Sequence, residues 1–216
     1  MRSTIDALLE ELEYSLIQMG ELCVQALSDA SVALQEGNEE IAQKVMENDD
    51  LIDNLESKID DICLTILLRE QPFARDLRRV IAASKIVTDL ERIGDQAADI
   101  ADIILIANRQ GQLDTPIVDK MAKKASGMVS DCIQAYVRRN LELTQKIIDA
   151  DDEVDTLFEE VKCKLTSSLA ENDSIQDRAI DIIMITKYLE RIADHATNVA
   201  EWVAFSITGV HPSYEG

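Results

Sequence analysis

Eight acidic residues stand in four pairs, each pair four positions apart: Asp49/Asp53, Glu91/Asp95, Asp151/Asp155 and Glu190/Asp194. Residues four apart on an α-helix face the same way with Cβ atoms ~5–6 Å apart, so each pair is a two-carboxylate platform. Pro72 supplies a hairpin tip; Asp49 and Asp53 lie 23 and 19 residues before it, and Glu91 and Asp95 lie 19 and 23 after it. Antiparallel helices of equal rise therefore bring the two platforms to one level. Around Asn172 the count repeats: Asp151 and Asp155 lie 21 and 17 residues before it, Glu190 and Asp194 lie 18 and 22 after it. Four carboxylates crowded at one level repel one another, and arginines, protonation or bound cations must offset that repulsion. Arg92 and Arg191 stand beside the platforms, but one arginine per four acids is too few.

Multivalent cations answer the excess. All-oxygen carboxylate clusters suit hard or borderline ions, and helical bundles build such sites from facing helices. The expected cofactor is a divalent or trivalent metal, with iron, manganese, magnesium or zinc as candidates. The Glu-x-x-His signature of buried di-iron bundles is missing, because Gly94 and Ala193 occupy the histidine position. Asp99 and Asp102 extend the first acidic seam, whereas Asn198 and Glu201 stand in their places in the second.

Other chemistry is sparse. His195 follows Asp194, but Gln96 holds the equivalent place after Asp95, so His195 reads as a structural or outlying histidine and no shared ligand; His211 lies in the tail. No Ser/His/Asp order, phosphate-binding loop or Gly-rich nucleotide loop is present, and no catalytic residue is assigned. A carboxylate-bridged metalloenzyme is the alternative, but it needs an open coordination position beside acid–base groups, and none is evident. Arg75, Arg78, Arg79 and Lys85 follow the first tip, either paired with local acids or offered to an acidic partner. Trp202 and Phe205 belong to the core or cover a dimer face. Cys23, Cys63, Cys132 and Cys163 form no Cys-x-x-Cys pair and read as free, buried small hydrophobes in a reducing cytoplasm.

The elements that must position the acids are six long helices, over about 5–36, 39–70, 73–109, 116–138, 141–171 and 174–208. Gly37-Asn38, Gln71-Pro72, Gly111 to Pro116, Arg139-Asn140 and Asn172-Asp173-Ser174 break them, with Thr115 as N-cap and Pro116 in the first turn of the fourth. Apolar stripes run Ile41, Val45, Ile52, Leu55, Ile59, Ile62, Ile66 in the second segment and Val80, Ala83, Val87, Leu90, Gly94, Ala97, Ala101, Ile104 in the third. The halves repeat. An offset of 102 aligns Asn38 with Asn140 and Asp49-Asp50 with Asp151-Asp152; an offset of 99 aligns Leu90-Glu91-Arg92-Ile93 with Leu189-Glu190-Arg191-Ile192. The expected fold is all-α, two tandem pseudo-symmetric three-helix bundles of antiparallel helices, divided as 1–112 and 113–216.

Composition agrees. Seven Gly and three Pro in 216 residues argue against an all-β sandwich or barrel, which turns every few residues. A formal net charge of −21 opposes nucleic-acid binding. No apolar run is long enough to span a bilayer, and the N-terminus lacks the basic-then-apolar profile of a signal peptide.

The strings QPFARDLRRVIAASKI (71–86), DLERIGDQAADIA (89–101) and YLERIADHATNVAE (188–201), with MGELCVQAL (19–27) and the doubled Asp-Asp-x-x-Asp, closely resemble the PhoU family over the whole chain. The resemblance implies a six-helix, two-bundle cytoplasmic protein tied to the phosphate-specific transport system. It implies a negative regulator of phosphate uptake and of the phosphate-starvation (Pho) regulon, working with a sensor histidine kinase and the transporter's ATPase, as a homodimer. It further implies metal clusters on acidic motifs matching Asp49/Asp53, Glu91/Asp95, Asp151/Asp155 and Glu190/Asp194. Gln96 and Asp99 depart from the motif's usual His and Asn, which His195 and Asn198 keep. An accessory domain serving another phosphate carrier is the neighbouring reading.

Overall fold

A computed structural model describes residues 2–107, 116–171 and 176–212. Six α-helices account for nearly all of them: α1 Arg2–Glu36, α2 Glu39–Thr65, α3 Ala74–Ala107, α4 Pro116–Arg138, α5 Leu141–Glu171 and α6 Gln176–Thr208. The second predicted segment is not α-helical throughout; its last turn, Ile66–Glu70, is a π-helix that closes on Gln71 in the left-handed conformation. The predicted breaks at Gly111 to Thr115 and at Asn172 to Ser174, and the 112/113 division, fall outside the described residues.

The turns that start α2 and α5 follow one recipe. Asn38 Oδ1 accepts from the backbone N–H of Glu40 and Ile41 at 3.1 and 3.2 Å, and Asn140 Oδ1 accepts from Leu143 at 3.2 Å. Each asparagine's own N–H returns to an alanine carbonyl five residues back, Ala33 or Ala135, at 3.0 Å. Capping supplies partners for N–H groups that the first helical turn leaves without one. The residue before each cap is left-handed, Gly37 at φ 65° and Arg139 at φ 50°. The conformation costs glycine nothing and an L-residue about 1–2 kcal/mol.

Helices α1, α2 and α3 pack on one another, as do α4, α5 and α6, giving two three-helix bundles related by the internal repeat. The bundles lie side by side through α3 against α6 and α1 against α4. The result is a central layer of α1, α3, α4 and α6, with α2 and α5 on the flanks. One continuous apolar core runs through both bundles. All eight predicted stripe positions of α3 are buried, because that helix is covered by its own bundle and by α6. Gly20 lets α1 approach α4: a Cβ there would lie 2.0 Å from Ile133 Cδ1.

Flank position also corrects the cysteine reading. Cys23, Cys63 and Cys132 are buried, but Cys163 is exposed. It sits on α5 between the exposed Lys162 and Lys164, off the buried line of Val154, Leu157 and Val161. Cys23 and Cys132 lie in the central layer, where their thiols donate to the carbonyls of Leu90 at 3.2 Å and Ala196 at 3.1 Å.

Candidate metal centre

In the first hairpin the acids meet because α2 closes tightly on α3. Ile52, 2% exposed, packs over Gly94, where a Cβ would stand 2.8 Å from Ile52 Cδ1 and 3.2 Å from Asp49 Oδ1. With no side chain at 94, Asp49 and Asp53 on α2 and Asp95 on α3 each offer an oxygen, and the three oxygens all lie within 4.8 Å of one another. Oxygens bound to one ion at 2.0–2.6 Å stand at most about 5 Å apart, so the donor set suits a single hard cation. Among the described residues it is the one such group of three. Glu91 lies beside this trio and outside it. Its Oε2 is buried, with Arg92 Nε at 3.3 Å, and Arg92 also reaches Asp95 at 3.2 Å.

The crowding is electrostatically costly. Burial, reinforced by Asp53, Asp95, Asp50 and Asp99, pushes the Asp49 carboxyl up to about 6. Burial and Asp95 raise Glu91, against the opposing pull of Arg92. Glu56, one turn beyond Asp53, is also raised, by burial and then by Asp60 and Asp53. It sits at the edge of the same cluster and forms its own four-residue pair with Asp60, but the pairing shared by both halves passes over it because Phe158 and Lys162 stand at the repeat-related positions.

The second hairpin repeats the electrostatics in a looser geometry. Burial, then Asp194, Asp155, Asp152 and Glu190, push Asp151 up to about 6. Its Oδ1 is buried with no hydrogen-bond partner. Asp194 is raised by burial, Glu190 and Asp155. Asp155 and Asp194 are exposed, Asp151 and Glu190 half-buried, and Lys187 ion-pairs with Glu190. Ala193 stands where the first hairpin has Gly94, and the four acids do not draw three oxygens into one 4.8 Å group. On α5, Phe158 and Lys162 stand where α2 has Glu56 and Asp60, with Lys162 and Lys187 over the Phe158 ring at 5.3 and 5.5 Å.

Three polar residues at the α3–α6 seam join the two hairpins. Asp89, two residues before Glu91, accepts from Asn198 Nδ2 at 3.2 Å and contacts His195 Nδ1 at 2.8 Å. The repeat-related contact is Tyr188 with Asp99, joined by a hydrogen bond. Asp99 and His195 thus serve the seam between bundles as well as the acidic clusters. No periodicity within either half signals Asp89 or Tyr188, because their partners lie in the other half. Of the basic group, Arg79 is committed to Glu13 at 2.7 Å and Asp76 at 3.5 Å, and Arg78 lies against Gly209. Arg75 and Lys85 are exposed. Trp202 and Phe205 pack on the core, and His211 folds onto Trp202 at 4.3 Å between ring centroids.

The chain matches the PhoU domain family model twice, over residues 16–104 and 118–203. A phosphate-specific transport system accessory protein PhoU homolog of Clostridium acetobutylicum is 35% identical over 210 residues, 96% of each chain. A homolog of the same description from Pseudomonas aeruginosa is 34% identical over 213 residues, 98% of this chain and 88% of the other. The crystal structure of PhoU from Pseudomonas aeruginosa superposes with a TM-score of 0.91 at 34% identity, covering 95% of this chain and 99% of that one. That of the phosphate transport system regulatory protein PhoU from Streptococcus pneumoniae gives 0.89 at 28% identity, over 96% and 98%. With two helical bundles, paired acidic hairpins and matches along almost its whole length, the chain belongs to the PhoU family.

Proposed function

We propose that this protein is a metal-loaded regulator of phosphate homeostasis, restraining a phosphate-specific transporter and the Pho regulon in the cytoplasm. It acts as a homodimer, without catalysis, through the transporter's ATPase and a sensor histidine kinase. The observation that carries the metal half is the trio Asp49, Asp53 and Asp95, whose oxygens converge from two helices within 4.8 Å. The regulatory half rests on relatives described as accessory and regulatory proteins of phosphate transport. No helix among the described residues is long and apolar enough to cross a membrane.

Asp49, Asp53, Asp95 and Glu91 would hold one cation, and Asp151, Asp155, Glu190 and Asp194 a second. The bound charge replaces mutual repulsion with bridging attraction. It ties α2 to α3 and α5 to α6, fixing the outer surfaces a partner reads. Arg75 and Lys85, the exposed members of the basic group that follows the first tip, are available to an acidic partner. Deleting the gene should derepress alkaline phosphatase and phosphate uptake at high phosphate, and the intact gene should restore repression. The double variant D49N/D95N should restore it poorly and purify with about one metal equivalent fewer. Full repression in the deletion strain would refute the regulatory role, and unchanged metal content in the double variant would refute the first site.

A further inference from the structure

Leu68 and Phe73 are the most exposed large apolar side chains among the described residues, at 78% and 82%, and both stand at the first hairpin tip. The chain leaves α2 through the π-helical turn Ile66–Glu70, which buries Ile66 and leaves Leu67 and Leu68 exposed. Phe73 follows between Gln71 and Ala74, both left-handed at φ 49° and 41° although neither is glycine. A left-handed L-residue and a solvated phenyl ring are each unfavourable in the free protein. Backbone strain of this kind clusters where it fixes the shape of a functional element. Arg69 and Arg75 lie on either side of the turn, exposed and in no ion pair among the described residues, whereas the neighbouring Asp76 is taken by Arg79.

We infer that this tip is a preformed knob that docks in an apolar pocket rimmed by carboxylates on a folded partner protein, with Leu68 and Phe73 as anchors and Arg69 and Arg75 at the rim. This rests on the regulatory reading above and names the element through which the protein reaches its partner. The fixed shape of the turn fits a pocket. A knob ordered before contact loses little freedom on entering a complementary recess, whereas a fluid bilayer gains nothing from that order. Charge favours the same occupant. On α1, which runs parallel to α3, Glu13 pairs with Arg79, so Asp6, exposed and seven residues back, stands level with Pro72. An anionic bilayer pressed against Phe73 meets Asp6 as well, while a pocket the width of the turn leaves it outside. A second copy fits less well, because a two-fold contact sets Arg69 and Arg75 against their own counterparts.

The test uses the full-length protein, in the deletion strain and purified. L68S/F73S should keep the wild-type melting temperature and Mn²⁺ affinity yet fail to restore repression of alkaline phosphatase. I106S, which alters an exposed apolar residue at the far end of α3, should restore it fully. In calorimetric titrations against the purified transporter ATPase and the cytoplasmic part of the sensor kinase, the partner that binds wild type should bind L68S/F73S about 100-fold more weakly. R69E/R75E should lose about 10-fold together with the salt dependence of binding, and it keeps the test open if the double serine variant folds poorly. Full repression by both double variants, or equal partner affinity, overturns this inference and leaves the regulatory reading standing. Full repression in the deletion strain without any added gene overturns both. Flotation of wild type, but not of L68S/F73S, with vesicles of phosphatidylcholine and phosphatidylglycerol makes the tip a lipid anchor and also overturns the inference.

Discussion

Asp49 is the place where crowding is most severe, and Asp49→Asn separates its two consequences. In the metal-free protein the carboxyl is pushed from an ordinary 3.8 up to about 6, first by burial and then by Asp53 and Asp95. A folded-state value above the unfolded one means that the folded form binds the proton more tightly. The contribution to stability is therefore fully present below about pH 4 and is lost as pH rises through about 6. The rise corresponds to about 3 kcal/mol, which solvent screening of this half-exposed group reduces to about 1 kcal/mol. Asparagine keeps the shape and removes the charge. Metal-free D49N should melt about 2–4 °C above wild type at pH 7.5, and the gap should close below about pH 4. With Mn²⁺ at 100 times its dissociation constant the order reverses, because wild type gains about 2.7 kcal/mol by mass action and the variant much less. Thermal melts by circular dichroism at pH 3.5 to 8, with chelator and with Mn²⁺, read all of this. A metal-free D49N that melts below wild type at pH 7.5, or a gap that persists at pH 3.5, would refute the reasoning.

Gly94→Ala should weaken the first hairpin's metal binding at least 10-fold while leaving the second unchanged, because the added Cβ meets Ile52 at 2.8 Å and Asp49 Oδ1 at 3.2 Å. Its helix-propensity gain of about 1 kcal/mol offsets part of an overpacking cost of about 1–3 kcal/mol, so calorimetric metal titration is the decisive readout and the melting temperature is not. A thiol reagent such as DTNB should modify Cys163 alone in the native protein, releasing the other three thiols on denaturation. Burial holds Cys23 and Cys132 well above the usual thiol range and pushes Cys63 up to about 12; rapid native labelling of a second cysteine would contradict this.

Much of the fold is legible in sequence because it is local and repeated. Helical stripes, capping asparagines and the offset between halves are properties of single helices and short turns, and Asn38 and Asn140 cap α2 and α5 where the sequence places them. The level of the acids follows likewise from residue counts along helices of constant rise. The site is less fully legible. Counting gave the two hairpins equal standing, yet the structure draws only Asp49, Asp53 and Asp95 into one tight group among the described residues. The hairpins differ here in Gly94 against the buried Ala193 and in the Lys187–Glu190 ion pair of the second, and spacing along a single helix carries no information about either.

The sequence by itself determined what each helix is and which side of it is apolar, since both depend on neighbours three and four residues away. Tertiary structure alone decided which sides meet. It set α3 and α6 back to back, brought His195 and Asn198 onto Asp89 from across 106 and 109 residues, and left Cys163 on an outer flank. Those outcomes depend on how two bundles pack into one shared core, and close packing is decided by the fit of side chains distant in sequence.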